Sequence, residues 1–496
     1  MPSPISKPGT EPGKGSVDAT CGISLGRATV LLILSRAVTY GLALVNSIVL
    51  ARALGVDRLG AYAYAMGLAG LFALLPNFGI NTVVTRAFAR QPETGPGVLA
   101  SALHAQALLA GVVCLAIPAF AAMLPGQPIP LSYVGLAALQ LALGTLSWPY
   151  LAVLGGYARY DRVAVVELAA GVIGTAFLLG AAVLFGGVAA VLVAHVLGAG
   201  IAVLVSRKAV QPFRGKSEGS PAIGIGALLR QAAPFGAVAA VQSLYTRLDI
   251  LLLGQMATTV ALGLYSVAYK PTNMLVYFGS TVAVALFPLL AQPPRPGTMI
   301  PFQRAMRGLG ATGPAMALTF SGLAGPLLQS LYGSEYVLAA PIFVVLAWSA
   351  AVNWLYAPLG IALQARGRER GWLTCLMCAL LLNAAGNFWA IPRWGAIGAA
   401  AATLASEMVL LLLGTVLVGR DFGRLPPLKP VVVGLSAAVA GGVALWLLHE
   451  GSAWLATVVA LIVYGGILVV FRVVNVEDAA LLISWVREVV PKWSHG

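Results

Sequence analysis

The sequence predicts an all-α polytopic membrane protein of about fourteen transmembrane helices, built as two parallel-related six-helix lobes with two further helices at the C-terminus. Three observations predict it. Hydrophobic residues make up 59% of the 496 residues and charged residues only 9%, where a soluble domain carries about 25% charge. The apolar residues fall into runs of about the twenty residues that a helix needs to cross a bilayer core. The basic residues then sort by side. With the N-terminus in the cytoplasm, 24 of the 30 Lys and Arg lie on inner segments, three (Arg52, Arg58, Arg393) in outer connections and three (Arg36, Arg247, Lys270) within spans. Positive residues favour the cytoplasmic side, and one missed span would scramble every later loop. The same sorting explains the net charge of +14 without nucleic acid: the positive side faces an anionic inner leaflet.

In chain order, residues 1–27 are polar and rich in Pro, Gly and Ser, which predicts a disordered cytoplasmic tail with no cleavable signal peptide. Six spans follow as an N-lobe, 28–206, at approximately 28–52, 61–81, 97–123, 131–153, 163–184 and 187–206. A flexible cytoplasmic linker, 207–230, carries Lys216-Ser217-Glu218-Gly219-Ser220-Pro221. Six more spans form a C-lobe, 231–420, at approximately 231–254, 262–289, 306–330, 337–362, 371–391 and 395–418. Two last spans occupy 430–473. Residues 476–494 read as a cytoplasmic interfacial helix, with Leu482, Trp485, Val486, Val489 and Trp493 at helical spacing. Glycine and proline make tight turns of Phe185-Gly186-Gly187 and of Pro392-Arg393-Trp394-Gly395.

An internal repeat relates the lobes. Leu59-Gly60-Ala61-Tyr62 matches Leu262-Gly263-Leu264-Tyr265 at an offset of 203 residues. Leu154, Arg159, Gly186 and Ala190 match Leu363, Arg368, Gly395 and Ala399 at an offset of 209. Six spans bring the chain back to its starting side, so the copies run parallel about an axis along the membrane normal.

Charges inside spans mark the candidate site, since each costs about 2.5–3.5 kcal/mol at the bilayer centre unless it faces protein or water. Arg247 lies 16 residues into a span that starts inside and Lys270 eight residues into one that starts outside, so helical rise puts both in the outer half. Arg36 is the other buried cation, about 12 Å from the cytoplasmic side. Asp249 stands two residues from Arg247 and therefore on another face; with Gln242 and Thr246 it forms a polar stripe that suggests a cavity-lining face. Glu407 lies near mid-membrane among Ala and Leu. His104 and His195 read as packed, hydrogen-bonded histidines. Cys375 and Cys378 form a C-x-x-C inside an apolar run, with no second pair to complete a zinc site.

Three stretches carry a family resemblance. They are Leu50-Ala51-Arg52-Ala53-Leu54-Gly55-Val56-Asp57-Arg58-Leu59-Gly60-Ala61-Tyr62, with Asn77-Phe78-Gly79-Ile80-Asn81 after it; Arg247-Leu248-Asp249-Ile250-Leu251-Leu252-Leu253-Gly254, with Leu262–Lys270; and Gln364-Ala365-Arg366-Gly367-Arg368, with Ile391–Ala400. In order and spacing the chain resembles the Wzx-type, polysaccharide-transporter branch of the multidrug/oligosaccharidyl-lipid/polysaccharide exporter superfamily, over about residues 25–420. The resemblance implies lobes around a central V-shaped cavity, and a flippase that carries a polyprenyl-pyrophosphate-linked oligosaccharide to the outer leaflet by alternating access.

On that reading Arg36, Arg247 and Lys270 would meet the phosphates, with Gln242, Thr246 and Asp249 beside them as substrate contacts. Asp249 would either pair with Lys270 or bind a coupling ion. Glu407 would either be a protonatable coupling site or a neutral acid holding helices together. No catalytic group and no cofactor is expected beyond a coupling proton or sodium ion. The expected partners are the lipid-linked oligosaccharide, membrane lipids, and polymerase and export components of glycan assembly, with no nucleic acid. The expected location is the bacterial cytoplasmic (inner) membrane, with both termini inside. Three rival readings are a drug/cation antiporter of the same superfamily, which would favour acids in its cavity; a membrane enzyme of glycan assembly, for which the outer loops are short; and a non-transporting scaffold.

Overall fold

The structure is a computed structural model that describes residues 25–90, 93–126, 128–213, 223–291, 299–422, 428–448 and 450–473. The predicted tail up to residue 24, linker residues 214–222 and the predicted interfacial helix lie outside the described residues, as do the side chains of Arg36 and Gln242. The described residues are helical and contain no strand.

The helices are α1 (Leu25–Leu71), α2 (Leu74–Asn77), α3 (Ile80–Arg90), α4 (Gly95–Met123), α5 (Leu131–Thr145), α6 (Trp148–Gly156), α7 (Tyr160–Leu184) and α8 (Val188–Val210) in the first half. The second half holds α9 (Ile225–Met256), α10 (Thr259–Leu290), α11 (Ile300–Tyr332), α12 (Ala340–Ala365), α13 (Glu369–Phe422), α14 (Leu428–Leu447) and α15 (Ala453–Val470). Every predicted span has a helical counterpart. Two pairs of spans are continuous through a single glycine turn: Gly55 (φ 71°) divides α1, and Gly395 (φ 56°) divides α13. Only glycine takes such a φ without cost. The linker is shorter than predicted, because α8 runs on to Val210 and α9 starts at Ile225. The second span of the sequence is also longer and bent: it is broken at Phe72–Ala73 and at Phe78–Gly79, where both residues have positive φ, and it ends with α3.

The repeat is visible in the backbone. Arg159 N–H donates to the Leu154 carbonyl at 2.9 Å, and Arg368 N–H donates to the Leu363 carbonyl at 2.9 Å. Ala158 (φ 54°) matches Gly367 (φ 71°), and Gly186 (φ 61°) matches Gly395 (φ 56°). Each pair has the offset read from the sequence.

Near the Gly55 turn the two lobes share one apolar core. Leu50, Tyr64 and Leu68 of the first lobe pack with Leu253, Tyr265 and Phe343 of the second, all fully or nearly buried. Towards the opposite end the core divides. One cluster, around Phe88, Leu99 and Leu154, belongs to the first lobe, together with Leu228 and Ala232 at the start of α9. Another, around Leu359, Trp372 and Leu410, belongs to the second lobe. Helices α14 and α15 form a separate cluster on α11, where the Tyr464 hydroxyl donates to the Ala311 carbonyl at 2.6 Å.

The shared core holds a glycine seam. In lipid, helices adhere by close packing and small residues, and here the two copies of the Leu-Gly repeat meet each other. A Cβ on Gly60 would overlap the Thr259 carbonyl and lie 3.0 Å from the Gly263 nitrogen; a Cβ on Gly263 would overlap the Val56 carbonyl. Val56 and Thr259 are themselves 203 residues apart, as Gly60 and Gly263 are, so the contact is its own image about the axis between the lobes. Side chains add to the closure. The Thr259 hydroxyl donates to Asp57, and the Gln255 amide to the Tyr64 hydroxyl. Arg52 donates from Nε to the Leu331 carbonyl at 2.9 Å and from Nη2 to the Ser330 carbonyl at 2.6 Å. It thereby places a cation on the open carbonyls at the C-terminus of α11.

Candidate functional site

Between the lobes, below the seam, lies a cavity of about 200 Å³. Its C-lobe wall presents Arg247 and Ile250 from α9 with Ser266, Tyr269 and Lys270 from α10. Its N-lobe wall presents Asn46, Ser47 and Leu50 from the first arm of α1, Tyr62 and Met66 from the second arm, and His195 from α8. That residues 46 and 62 line one cavity shows how sharply the chain reverses at Gly55. Among the described residues, the lining includes two cations and no carboxylate.

Arg247 reaches the cavity through a gap in the other lobe. Its guanidinium lies where a Cβ of Gly70 would be. Lys270, from the next helix, shares the lining. The two cations therefore lie on consecutive helices around one space, in the same half of the molecule. The Tyr269 hydroxyl donates to the Thr246 carbonyl at 3.3 Å, tying α10 to α9 beside them. His195 is held at both nitrogens: Nδ1 lies 3.0 Å from the Val191 carbonyl and Nε2 3.1 Å from the Tyr62 hydroxyl.

The remaining predicted site residues are placed differently. Asp249 does not line this cavity and is not paired with Lys270. It is 5% exposed and faces α10 and α13. Its Oδ2 accepts from the Tyr265 hydroxyl (3.0 Å) and the Thr403 hydroxyl (2.7 Å), and its Oδ1 from the Asn387 amide (3.1 Å). Of the predicted stripe of Gln242, Thr246 and Asp249, neither Thr246 nor Asp249 lines this cavity, and the Thr246 hydroxyl turns back to the Ser243 carbonyl at 3.1 Å; the Gln242 side chain lies outside the described residues. The reason is rotational. Arg247 and Asp249 differ by about 200° around the helix, so when Arg247 faces the other lobe Asp249 faces its own.

Glu407 is likewise inside the C-lobe and 6% exposed. It accepts from the Ser349 hydroxyl, and from the Tyr356 hydroxyl at 3.5 Å. A chain of hydrogen-bonded side chains runs from Asp249 to the residue before it. Asn387 donates to Asn383 Oδ1 (3.0 Å), Asn383 donates to the Ser406 hydroxyl (3.4 Å), and Ser406 precedes Glu407. Buried carboxylates without a neighbouring cation are expensive, and among the described residues no ion pair reaches either acid. Arg36 lies on α1 ten residues before Asn46, with its side chain outside the described residues.

Sequence reasoning missed most partners of these groups. Asn383 and Asn387 stand four apart on one span, and Thr403 and Glu407 four apart on the next. Polar residues at that spacing on facing helices were the available signal. Cys375 and Cys378 are free, and among the described residues no cluster of His, Cys, Asp and Glu is arranged to hold a metal.

Fold and site together define a two-lobed, multi-pass membrane protein with a cationic cavity between its lobes. The chain belongs to the polysaccharide biosynthesis protein family, whose model matches residues 25–293. It is similar to the probable low-salt glycan biosynthesis flippase Agl15 of Haloferax volcanii, 22% identical over 396 residues that cover 78% of this chain and 82% of that protein. Its fold is that of the lipid II flippase MurJ in an inward closed conformation, with a TM-score of 0.71 at 12% identity over 89% of this chain and 98% of MurJ. A multidrug resistance MATE family transporter of the MOP superfamily, in an inward-facing conformation, shares it more distantly, with a TM-score of 0.55 at 16% identity over 79% and 97%.

Proposed function

We propose that this protein is a flippase that moves a polyprenyl-pyrophosphate-linked oligosaccharide from the cytoplasmic to the outer leaflet by alternating access, for assembly of a cell-surface glycan. The observation that carries the reading is the composition of the cavity: among the described residues, Arg247 and Lys270 line it and no carboxylate does. Such a lining attracts an anion, and Arg offers phosphate a two-pronged hydrogen bond. A drug/cation antiporter needs the opposite sign. Here the acids Asp249 and Glu407 are turned away into the C-lobe. The family and the glycan flippase relative agree in class.

On this reading the Gly55 end faces the outside and both termini face the cytoplasm, the orientation that the distribution of basic residues favours. Polymerase and export components would take up the product. The seam closes the outer side, and the ligand enters from the inner leaflet, where Arg36 would meet it first. Rocking the lobes about the cavity then exposes it to the other side.

A coupling cation fits Asp249. Beside this carboxylate, Asn387 Oδ1 is buried with no hydrogen-bond partner among the described residues, and the Thr403 hydroxyl and Asn383 Oδ1 are adjacent in the same network. Oxygen ligands of this kind suit a proton or a sodium ion. Asp249, Asn387 and Thr403 would hold it, and its positive charge would offset the buried carboxylate.

Mass spectrometry of lipids copurified with the protein tests the function. A bound polyprenyl-pyrophosphate glycan is the expected result. Recovery of bulk phospholipid alone, with wild-type glycan export in cells that lack this protein, would refute it.

A further inference from the structure

The cavity at Arg247 and Lys270 is too small to hold an oligosaccharide as well as phosphates. Its volume of about 200 Å³ falls below the range of about 300–1,000 Å³ usual for sites that enclose a small ligand. A larger concavity, of about 500 Å³, lies on the N-lobe between α3 and α6. Asn81, Thr82, Thr85 and Arg86 line it from α3, and Trp148 and Leu151 from α6.

Helix α3 is two-faced. Ile80, Val83, Val84 and Phe88 are buried in the lobe. The other face is polar, with Thr82 and Arg86 exposed and Asn81 and Thr85 half-buried. A face of this kind looks onto water or a polar ligand, not onto hydrocarbon. The fold itself uses only part of it. The Thr85 hydroxyl donates to the Ala152 carbonyl at 3.1 Å and ties α3 to α6, and Asn81 Oδ1 accepts from the Gln106 amide at 3.5 Å. The Asn81 N–H groups, the Thr82 hydroxyl and the Trp148 indole N–H have no hydrogen bond among the described residues. Nor does the repeat require a ring here. At the offset of 209 residues, Trp148 and Leu151 correspond to Ala357 and Gly360, and in the second lobe the Trp372 ring packs directly on Gly360.

We propose that the concavity between α3 and α6 is a glycan subsite, which holds sugar residues distal to the pyrophosphate while the pyrophosphate is held at Arg247 and Lys270. A pyranose has an apolar C–H face and a rim of hydroxyls. The Trp148 ring offers a surface for the first, and Asn81, Thr82 and Arg86 offer hydrogen bonds to the second. This inference rests on the flippase reading and adds a length requirement to it. Gly70, which lies under the Arg247 guanidinium, and Thr82 are twelve residues apart on one span, on the order of 18 Å of helical rise. A carrier with a single sugar is too short to cover that distance, and an assembled oligosaccharide covers it. The second subsite therefore favours the finished glycan over its early precursors.

The test uses the purified full chain in lipid nanodiscs with two probes: farnesyl pyrophosphate, and the carrier-linked glycan extracted from cells that lack this protein. Trp148→Ala should weaken binding of the extracted glycan about tenfold or more, as truncation of a central aromatic contact does. Thr82→Val, which keeps the shape and removes the hydroxyl, should weaken it about three- to tenfold, the worth of one hydrogen bond. Neither variant should change the binding of farnesyl pyrophosphate, whereas Arg247→Ala should weaken both probes. Thermal unfolding of each variant identifies any that is misfolded; should Trp148→Ala be so, the exposed Thr82→Val decides. If the Trp148 and Thr82 variants bind the glycan as the wild type does, or weaken both probes equally, the glycan subsite is overturned while the flippase reading stands. If no carrier-linked glycan accumulates in cells that lack the protein, both fall.

Discussion

Gly70 lies directly under the guanidinium of Arg247, so close that a Cβ at residue 70 would overlap Nη1. The cation of one lobe is thus seated in a gap that the other lobe leaves open. A Gly70→Val variant keeps every charge yet displaces Arg247. Glycan export should fall by about tenfold or more, since displacing a binding group by an ångström or so has effects of that order. Complementation of a strain lacking the gene measures it, with membrane insertion checked by immunoblot.

Arg247→Ala should abolish export while the protein remains inserted and folded. Arg247→Lys keeps the charge but not the two-pronged geometry, and should restore only part of the activity. Full export by the alanine variant would remove Arg247 from the site.

Asp249→Asn retains the shape of the side chain but not its charge. It should leave thermal stability within about 1 kcal/mol, because Asn still accepts one hydrogen bond from Tyr265 or Thr403. Transport into proteoliposomes should lose its response to a sodium or proton gradient. An Asp249→Asn protein that still responds to both gradients would place coupling elsewhere, with Glu407→Gln as the next variant to measure.

The seam at Gly60 and Gly263 admits no side chain. Gly263→Leu should therefore disfavour the arrangement closed at the Gly55 end. Cysteines placed near Gly55, modified from outside by a membrane-impermeant maleimide, should react faster in this variant than in a Gly263 background.

Ala158 holds a left-handed conformation (φ 54°) where the second lobe has Gly367. Ala158→Gly should stabilise the protein by about 1 kcal/mol, the usual cost of that conformation in an L-residue. A thermal melt in detergent reads it.

Much of the fold was legible because a bilayer imposes a length and a charge rule on each span. The chain-reversing glycines and the repeat could be read at Gly186, Gly395 and the two Leu-Gly segments for the same reason. Helical rise also placed Arg247 and Lys270 in the same half of the molecule, and both line one cavity. What periodicity cannot report is which neighbour a polar residue meets. Asp249 looked like a partner for Lys270 on adjacent helices, but its actual partners Asn387 and Thr403 lie more than a hundred residues away.

The undivided core at the Gly55 end and the divided core opposite make the molecule a balance. Any motion that parts the lobes at one end and joins them at the other exchanges one set of apolar contacts for another, so the net difference between the two states is small beside either set. A cation held at one hundred times its dissociation constant contributes about 2.7 kcal/mol, and a 1.4 kcal/mol difference is a tenfold change in population. On the proposed reading, a single ion at Asp249, bound in one state and released in the other, would therefore be enough to set which leaflet the cavity faces.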